Sequence, residues 1–593
     1  MPRHNNRRAV WAGTAAVVLL VGADRASSEP SLRQDATRNS PSRTTSAPPI
    51  DGPVDGELLV KVQKAGAVAE AEANDVSRIL AALHKSVGGT VLQRWSYIGW
   101  ELVKLPRGMS LERGHAAYTR ALTTLRQQRR GVVSPNSPSF SEDLEVITEP
   151  DIRILIPRDQ HGPAEPIVAV RAELAGKEPN DPQYPQQGRY KLLQAPAAWA
   201  VVTGTKDIVV AVVDGAVDYS HEDIRANMWT AADGGHGYNT CNGTSNPGPA
   251  DTHGTHVGGI IGAVGNNTIG VVGVNWTTKI LSINFACGAT RVEEAGGTLT
   301  TLRQQLTAYQ FIVDARHKGV NIGVANNSWR NVPLWANSAA QKAAIDAAGA
   351  VGVVSVFAAG NDTNDNDSDR PTYPASYKSA SIISVAATGP DDSLASWSSW
   401  GLHSVHLTAP GVGLLSTYPM GEGKYGTMSG TSMAAPVVSG AVALLLAANP
   451  QIGGSDISEA RQKLIATVDK IPGLQSKVVS GGRLNLNKLI QSAGSGGGGG
   501  GSTSEVAGTV AFVSTRDGHR QIYKRAADGK ETRLTNDGSS DYDPTWTPAG
   551  QIVFTSDRSG HAELYVMNSD GTSQTRLTNS GGDNSQAAVF SPK

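Results

Sequence analysis

The chain has 593 residues, 39% of them hydrophobic and 18% charged, which is enough for several domains with cores of their own and excludes both a disordered chain and a multispan membrane protein. Its 52 Lys and Arg balance 53 Asp and Glu to a net charge of −1, so a nucleic-acid partner lacks the basic surface it requires. Two cysteines, Cys241 and Cys287, exclude a Cys-rich zinc module or a disulfide-built miniprotein and leave either one disulfide or two free thiols.

Arg3, Arg7 and Arg8 precede an apolar run from Ala9 to Ala23 that ends in small residues. This pattern predicts a secretory signal peptide over 1–23, and hence a secreted, extracellular protein. The run is shorter than the ~20 residues of a spanning helix, although an uncleaved anchor has the same composition. Arg7-Arg8 fits twin-arginine export as well as the general route. No other segment predicts a membrane span, so none is expected once the signal is removed.

Residues 24–55 are rich in Ser, Thr, Pro and Arg and read as a disordered leader. Over 56–140 the pattern changes. Glu57–Val62 alternates like a strand, and Ala67–His84 carries Val76, Ile79, Leu80 and Leu83 at helical spacing. Thr90–Trp95 and Trp100–Leu105 follow a Gly88-Gly89 turn as a strand pair, and Leu111–Gln127 is a second amphipathic helix. The result is a small α+β domain. Residues 141–180 show little periodicity and read as a linker that includes a processing region.

Residues 181–491 form the large body. Near-continuous apolar runs at Ile208–Val213, Ile280–Phe285, Val351–Ala359 and Ser381–Ala387 alternate with helical patterns. Strands without polar alternation suit a sheet covered on both faces, which predicts an α/β doubly wound, mostly parallel sheet with function at the strands' carboxyl ends. The glycine run within 492–505 is a flexible tether. Beyond it, over 506–593, Phe512–Tyr523 recurs as Phe554–Tyr565 and Arg533–Asn536 as Arg576–Asn579. A period of about 40–45 residues predicts two blades of a β-propeller-like, all-β module, too few to close a ring, and the repeats resemble those of the TolB type.

Three segments carry chemistry. Asp214 ends the apolar strand Ile208–Val213, His253 stands in His253-Gly-Thr-His256 at a helix start, and Ser432 lies in Gly430-Thr-Ser432-Met-Ala-Ala-Pro436 before an apolar helix. A serine hydroxyl needs an imidazole to take its proton, and the imidazole needs a carboxylate to fix its tautomer. Each residue alone suits a cap, a turn or a core. Together, in the order Asp, His, Ser, they suit nucleophilic catalysis.

These motifs, with Asn326-Asn-Ser328-Trp, Phe357-Ala-Ala-Gly-Asn361 and Thr408-Ala-Pro-Gly411, resemble the subtilisin-like serine proteases over about residues 180–490. The resemblance implies Asp214 as orienting acid, His253 as base, Ser432 as nucleophile and Asn361 as side-chain oxyanion donor, with His256 structural. It implies that Ser328, Trp329, Arg330, Ala359 and Gly360 bind substrate. The sequence departs from the family at Gly215-Ala216, where a hydroxyl residue is usual, and at Arg330-Asn331, where glycines are usual, so no inherited substrate preference carries over. The resemblance also implies a structural calcium ion held by Asp181, Asp223, Gly265, Asn267, Ile269 and Val271, against the alternative of an ordinary Asn/Gly turn. The 56–140 domain is then similar to the family's propeptide, which blocks the cleft until it is cut off.

The expected function is a secreted serine endopeptidase made as a self-processing zymogen. Its expected partners are protein or peptide substrates, its own propeptide, and a protein or surface bound by the C-terminal repeats. A catalytically silent scaffold and another acyl transfer are the competing readings.

Overall fold

A computed structural model describes residues 54, 56–64, 73–130, 144–157, 176–292, 297–453, 457–493 and most of 510–579. The expected signal peptide, most of the expected leader, and all but the start of the expected Gly/Ser tether lie outside the described residues.

The first domain is a four-stranded antiparallel sheet in the order β2-β3-β1-β4, with β1 Glu57–Lys64, β2 Thr90–Trp95, β3 Trp100–Lys104 and β4 Leu144–Pro150. Helices α1 Ala73–Val87 and α2 Leu111–Arg130 cover one face. The period of two sorts the side chains of β1: Leu58, Val60 and Val62 pack with Leu83, Tyr118 and Leu122, while Leu59 faces the other way with Trp95, Trp100 and Leu102. That second face belongs to the same apolar cluster as Ile312 and Phe357 of the body, so the domain is docked by its sheet.

Two strands arise where the sequence suggests a linker. β4 pairs with β1 from Leu58↔Pro150 to Lys64↔Leu144, and β5, Arg153–Pro157, pairs with strands of the body. Neither has clear alternation. Both are fixed by partners far away in the chain, a contribution that local periodicity cannot register.

The body's two short helices, α3 Arg189–Leu192 and α4 Ala195–Trp199, lead into a nine-stranded sheet. Its core strands are β6 Gly204–Asp214, β7 Gly237–Asn239, β8 Thr277–Asn284, β11 Ile322–Asn327, β13 Val354–Ala358, β14 Ile382–Thr388 and β15 Leu407–Pro410. They are ordered β15-β14-β13-β11-β6-β8-β7 and are all parallel, with β19 Gly482–Arg483 and an antiparallel β18 Asp469–Lys470 beyond β15. Alternate residues of β6 explain its unbroken apolar run. Val210 and Val212 face α5 Thr252–Gly262, α8 Thr431–Ala448 and α10 Leu486–Ala493; Val209, Ala211 and Val213 face α6 Leu302–His317 and α7 Ala339–Ala350. Helix α9, Ser458–Ala466, joins the first of these layers. Helix α8 is long and apolar enough to cross a membrane but is buried in this core.

Two small strands flank β5. β10 Gly297–Thr301 pairs antiparallel with it on one side and β12 Arg330–Val332 on the other, with β9 Thr290–Val292 outside β10. β16 Leu414–Thr417 and β17 Tyr425–Met428 form a hairpin. Cys241 and Cys287 form a disulfide, which decides between the two states the sequence leaves open.

The repeats form two antiparallel sheets, β20 Val510–Ser514 to β22 Glu531–Arg533 through β21 Gln521–Arg525, and β23 Asp541–Trp546 to β26 Thr575–Arg576 through β24 Gln551–Ser556 and β25 Glu563–Asn568. The repeat is visible as chemistry: Phe512 pairs with Tyr523 under Arg516, and Phe554 pairs with Tyr565 under Arg558.

Candidate active site

Asp214 ends β6 and His253 is the second residue of α5. His253 Nδ1 donates to Asp214 Oδ1 at 2.8 Å, and Gly215 N donates to the same oxygen at 2.7 Å. Both side chains are buried, at 6% and 0% exposure, so the pair is shielded from competing water. The carboxylate acceptor fixes the proton on Nδ1.

Glycines make this approach possible. A Cβ on Gly254 would lie 2.2 Å from the Gly215 carbonyl oxygen, and one on Gly215 would lie 2.4 Å from the Asp251 carboxyl. The departure at Gly215 is therefore a packing requirement of this chain. Asp251 caps α5 through Gly254 N at 2.9 Å, and burial followed by the charge of Asp214 pushes its carboxyl up. Sequence reasoning missed Asp251, although an Asp just before a helical run is a capping signal.

Ser432 lies in the first turn of α8 and is buried. Its Oγ donates to Ser328 O at 3.3 Å, so the single hydroxyl proton is not directed at His253 in this geometry. The Ser328 hydroxyl in turn donates to Ser432 O at 2.8 Å. Pro436 explains that bond. It lacks the N–H that would reach the carbonyl four residues earlier in the helix, and Ser328 supplies the missing donor. Asn326 Nδ2 donates to Ser328 Oγ at 3.1 Å, and Ser439 Oγ donates to Asn326 Oδ1 at 2.7 Å.

Asn361 follows β13. Its Oδ1 accepts from Thr431 N at 2.9 Å and Thr431 Oγ1 at 2.8 Å, and Thr431 Oγ1 accepts from Gly360 N at 3.2 Å. With Oδ1 occupied twice, Nδ2 is the opposite end of the amide and lies on the Gly430 side, 3.3 Å from where a Gly430 Cβ would stand. Thr431, inside the serine motif, thus fixes which end of the Asn361 amide faces Gly430.

Of the other expected substrate residues, Trp329 and Ala359 belong to the framework. Trp329 is 1% exposed, packs between Phe285 and Phe357, and donates through Nε1 to Val213 O at 3.0 Å. Ala359 is fully buried, and its carbonyl accepts from Asn366 Nδ2. Gly360 adopts φ +112, where a side chain would be strained. Arg330 opens β12 and pairs with Asp362. The Trp329–Val213 bond and the Ser328–Ser432 bonds place Ser432 and Asp214 on adjoining framework.

His256 is fully buried, and its Nε2 donates to Leu414 O at 2.9 Å and Gly426 O at 3.2 Å. Burial pushes its pKa down to about 3, so it is a neutral structural residue.

The six expected metal residues are also brought together in part. Asp223 Oδ1 accepts from Asn267 Nδ2 at 2.7 Å and Oδ2 from Val271 N at 2.9 Å. Asn267 Oδ1 accepts from Ile269 N, and Asp181 Oδ2 accepts from Asn266 N. Ile269 and Val271 thus enter through their amides, while the Gly265 amide reaches Trp276 O. Burial first, and then the charges of Asp181 and Glu222, push Asp223 up to about 7; burial raises Asp181 as well. Asp181 Oδ1 is buried and accepts no hydrogen bond. Among the described residues no cluster of three or more His, Cys, Asp or Glu forms a metal site. Two neighbouring buried carboxylates, one with an unused oxygen, beside an Asn amide nevertheless fit a hard cation with oxygen ligands.

The subtilase family profile matches residues 205–498, and the TolB beta propeller domain profile matches 500–593. Thermitase of Thermoactinomyces vulgaris is 34% identical over 316 residues, 53% of this chain and 99% of thermitase. The thermophilic serine proteinase of Bacillus sp. strain AK1 is 32% identical over 276 residues, 46% of this chain and 60% of that protein. The extracellular basic protease of Dichelobacter nodosus is 30% identical over 358 residues, 53% of this chain and 56% of that one. Fervidolysin of Fervidobacterium pennivorans, solved as a keratinolytic enzyme related to subtilisin, superimposes with a TM-score of 0.57 at 23% identity, over 85% of this chain and 71% of its own. The chain belongs to the subtilase family and is a subtilisin-like serine protease acting on protein substrates, with a C-terminal TolB-type β-propeller region.

Proposed function

We propose that this subtilase is a secreted serine endopeptidase made as a self-processing zymogen, with Ser432 as nucleophile, His253 as proton carrier, Asp214 as its orienting acid and Asn361 as oxyanion donor. The 2.8 Å bond between His253 and Asp214, on framework adjoining Ser432, carries this reading. Rotation about Cα–Cβ takes the Ser432 hydroxyl from Ser328 O to His253 Nε2. Oγ bonds to the substrate carbonyl carbon as its proton passes to Nε2, and Asp214 stabilises the imidazolium. The carbonyl oxygen becomes an oxyanion facing Asn361 Nδ2–H and the Ser432 amide. The C–N bond breaks as His253 returns the proton to the leaving amine. Water repeats the sequence on the acyl-enzyme and restores Ser432.

The domain before the body is read as the propeptide. β5 lies as an extended strand between β10 and β12, the position a bound substrate strand would take, and its register with β12 runs toward Ser328. Self-cleavage then falls after Pro157 and before the body is reached at about Asp181. Asp181, Asp223 and Asn267 would hold a structural calcium ion, whose positive charge would offset the two carboxylates. Export follows from the signal-like N-terminus and fits relatives named as extracellular. The repeats would bind a protein or surface. The test is His253→Ala in the full chain: only the unprocessed precursor should appear on a gel, whereas the parent yields a product whose N-terminus sequences between 158 and 181. Processing of the variant at the parent's rate contradicts the reading.

A further inference from the structure

The departure at Arg330 has a partner. Arg330 lies just beyond the carboxyl end of β11, and Asp362 just beyond that of β13; these two strands are parallel neighbours, paired from Val324↔Val354 to Asn327↔Phe357. Arg330 Nη2 donates to Asp362 Oδ1 at 2.9 Å, and Nη1 donates to Asn331 O at 3.2 Å. The side chains are 20% and 29% exposed, so the pair spans the gap between the two strand ends partly out of water. Asp362 directly follows Asn361, and Arg330 stands two residues after Ser328, whose carbonyl touches the Ser432 hydroxyl.

The register of β5 shows what would meet this pair. Leu155 lies opposite Arg330. Continued by two residues, the same register sets position 157 opposite Ser328. An extended substrate in the place of β5 therefore brings the side chain next to its scissile bond to the crevice between the strand ends that Arg330 and Asp362 span. A large apolar side chain there has to displace the guanidinium or strip water from two charges. A small one does neither. An acidic one meets an Arg330 already neutralised by Asp362.

We infer that the Arg330–Asp362 ion pair is the specificity-determining wall of this crevice and restricts the residue preceding the cut to small side chains. The inference rests on Ser432 being the nucleophile of the proposed reaction. Two variants separate occlusion from a merely structural role. Arg330→Gly opens the crevice, so kcat/KM for Phe relative to Ala at that position should rise at least tenfold over the parent. Asp362→Ala leaves the guanidinium without its counter-charge, so the ratio for Glu relative to Ala should rise at least tenfold. Both are measured on a peptide series varied only at that position, with active enzyme counted by covalent fluorophosphonate titration. Labelled variants that keep the parent's profile overturn the inference while leaving the nucleophile intact. A parent that takes no label overturns both. Should Arg330→Gly fail to fold, the Glu-to-Ala ratio of Asp362→Ala decides the matter alone.

Discussion

The Ser328 hydroxyl donates to the carbonyl oxygen of Ser432 at 2.8 Å, the carbonyl that Pro436 leaves without its helical donor. The proline that breaks the ladder of α8 thus ties the first turn of that helix to the end of β11. Ser328→Ala leaves this buried carbonyl unpaired, which costs about 1–3 kcal/mol. The expected result is a lower melting temperature together with slower acylation, since the backbone carrying the nucleophile loses its brace. Unchanged acylation with lowered stability would limit Ser328 to a structural role.

The Asp181–Asp223 pair predicts a pH-dependent metal effect. In the metal-free fold Asp223 is raised to about 7, above its unfolded value. Its contribution to stability is then full at acid pH, below the unfolded value near ~4, and is lost as pH rises through about 7. A cation needs the ionised form and relieves the repulsion. Calcium at about 100 times its dissociation constant adds about 2.7 kcal/mol. The expected result is a calcium-dependent rise in melting temperature that is larger at pH 8 than at pH 5 and is abolished in Asp223→Asn. Equal melting curves with calcium and with chelator at pH 8 would remove the ion from the account.

The propeptide reading makes its own prediction through two carboxylates. Glu149 accepts from Ser338 Oγ, Ala339 N and Ala340 N at the start of α7, and Asp151 accepts from Arg303 N at the start of α6. Each supplies acceptors to otherwise open helix amides. Loss of one such cap costs about 0.5–2 kcal/mol, so Glu149→Ala should weaken self-inhibition by about 2- to 30-fold. Burial, the largest influence on Asp151, pushes it up to about 7. The docked state therefore favours the protonated acid, and docking weakens as pH rises through about 7. Activation of the precursor should be faster at pH 8 than at pH 6, and Asp151→Asn should flatten that difference. The check is the lag before activity appears, followed across pH.

Much of this was legible in the residues themselves. Asp214, His253 and Ser432 stand in motifs whose neighbours are dictated by close packing, and the buried strand β6 announces itself because both of its faces are apolar. The Phe–Tyr repeat at 512–523 and 554–565 emerges as the same ring pair in two sheets. What stayed hidden depends on distant partners. β4 and β5 become strands only through β1, β10 and β12. Trp329, expected in the binding surface, is drawn into the core by Phe285 and Phe357. Arg330 was visible as a departure, but its pairing with Asp362 crosses two strand ends and leaves no local trace.

The proposed catalysis depends on a proton path from Ser432 through His253 to Asp214. Covalent labelling with a fluorophosphonate, read by intact mass and peptide mapping, tests it most directly. One adduct is expected, on Ser432, absent in Ser432→Ala and formed slowly in His253→Ala. An adduct on another residue, or labelling of Ser432→Ala equal to the parent, would contradict it.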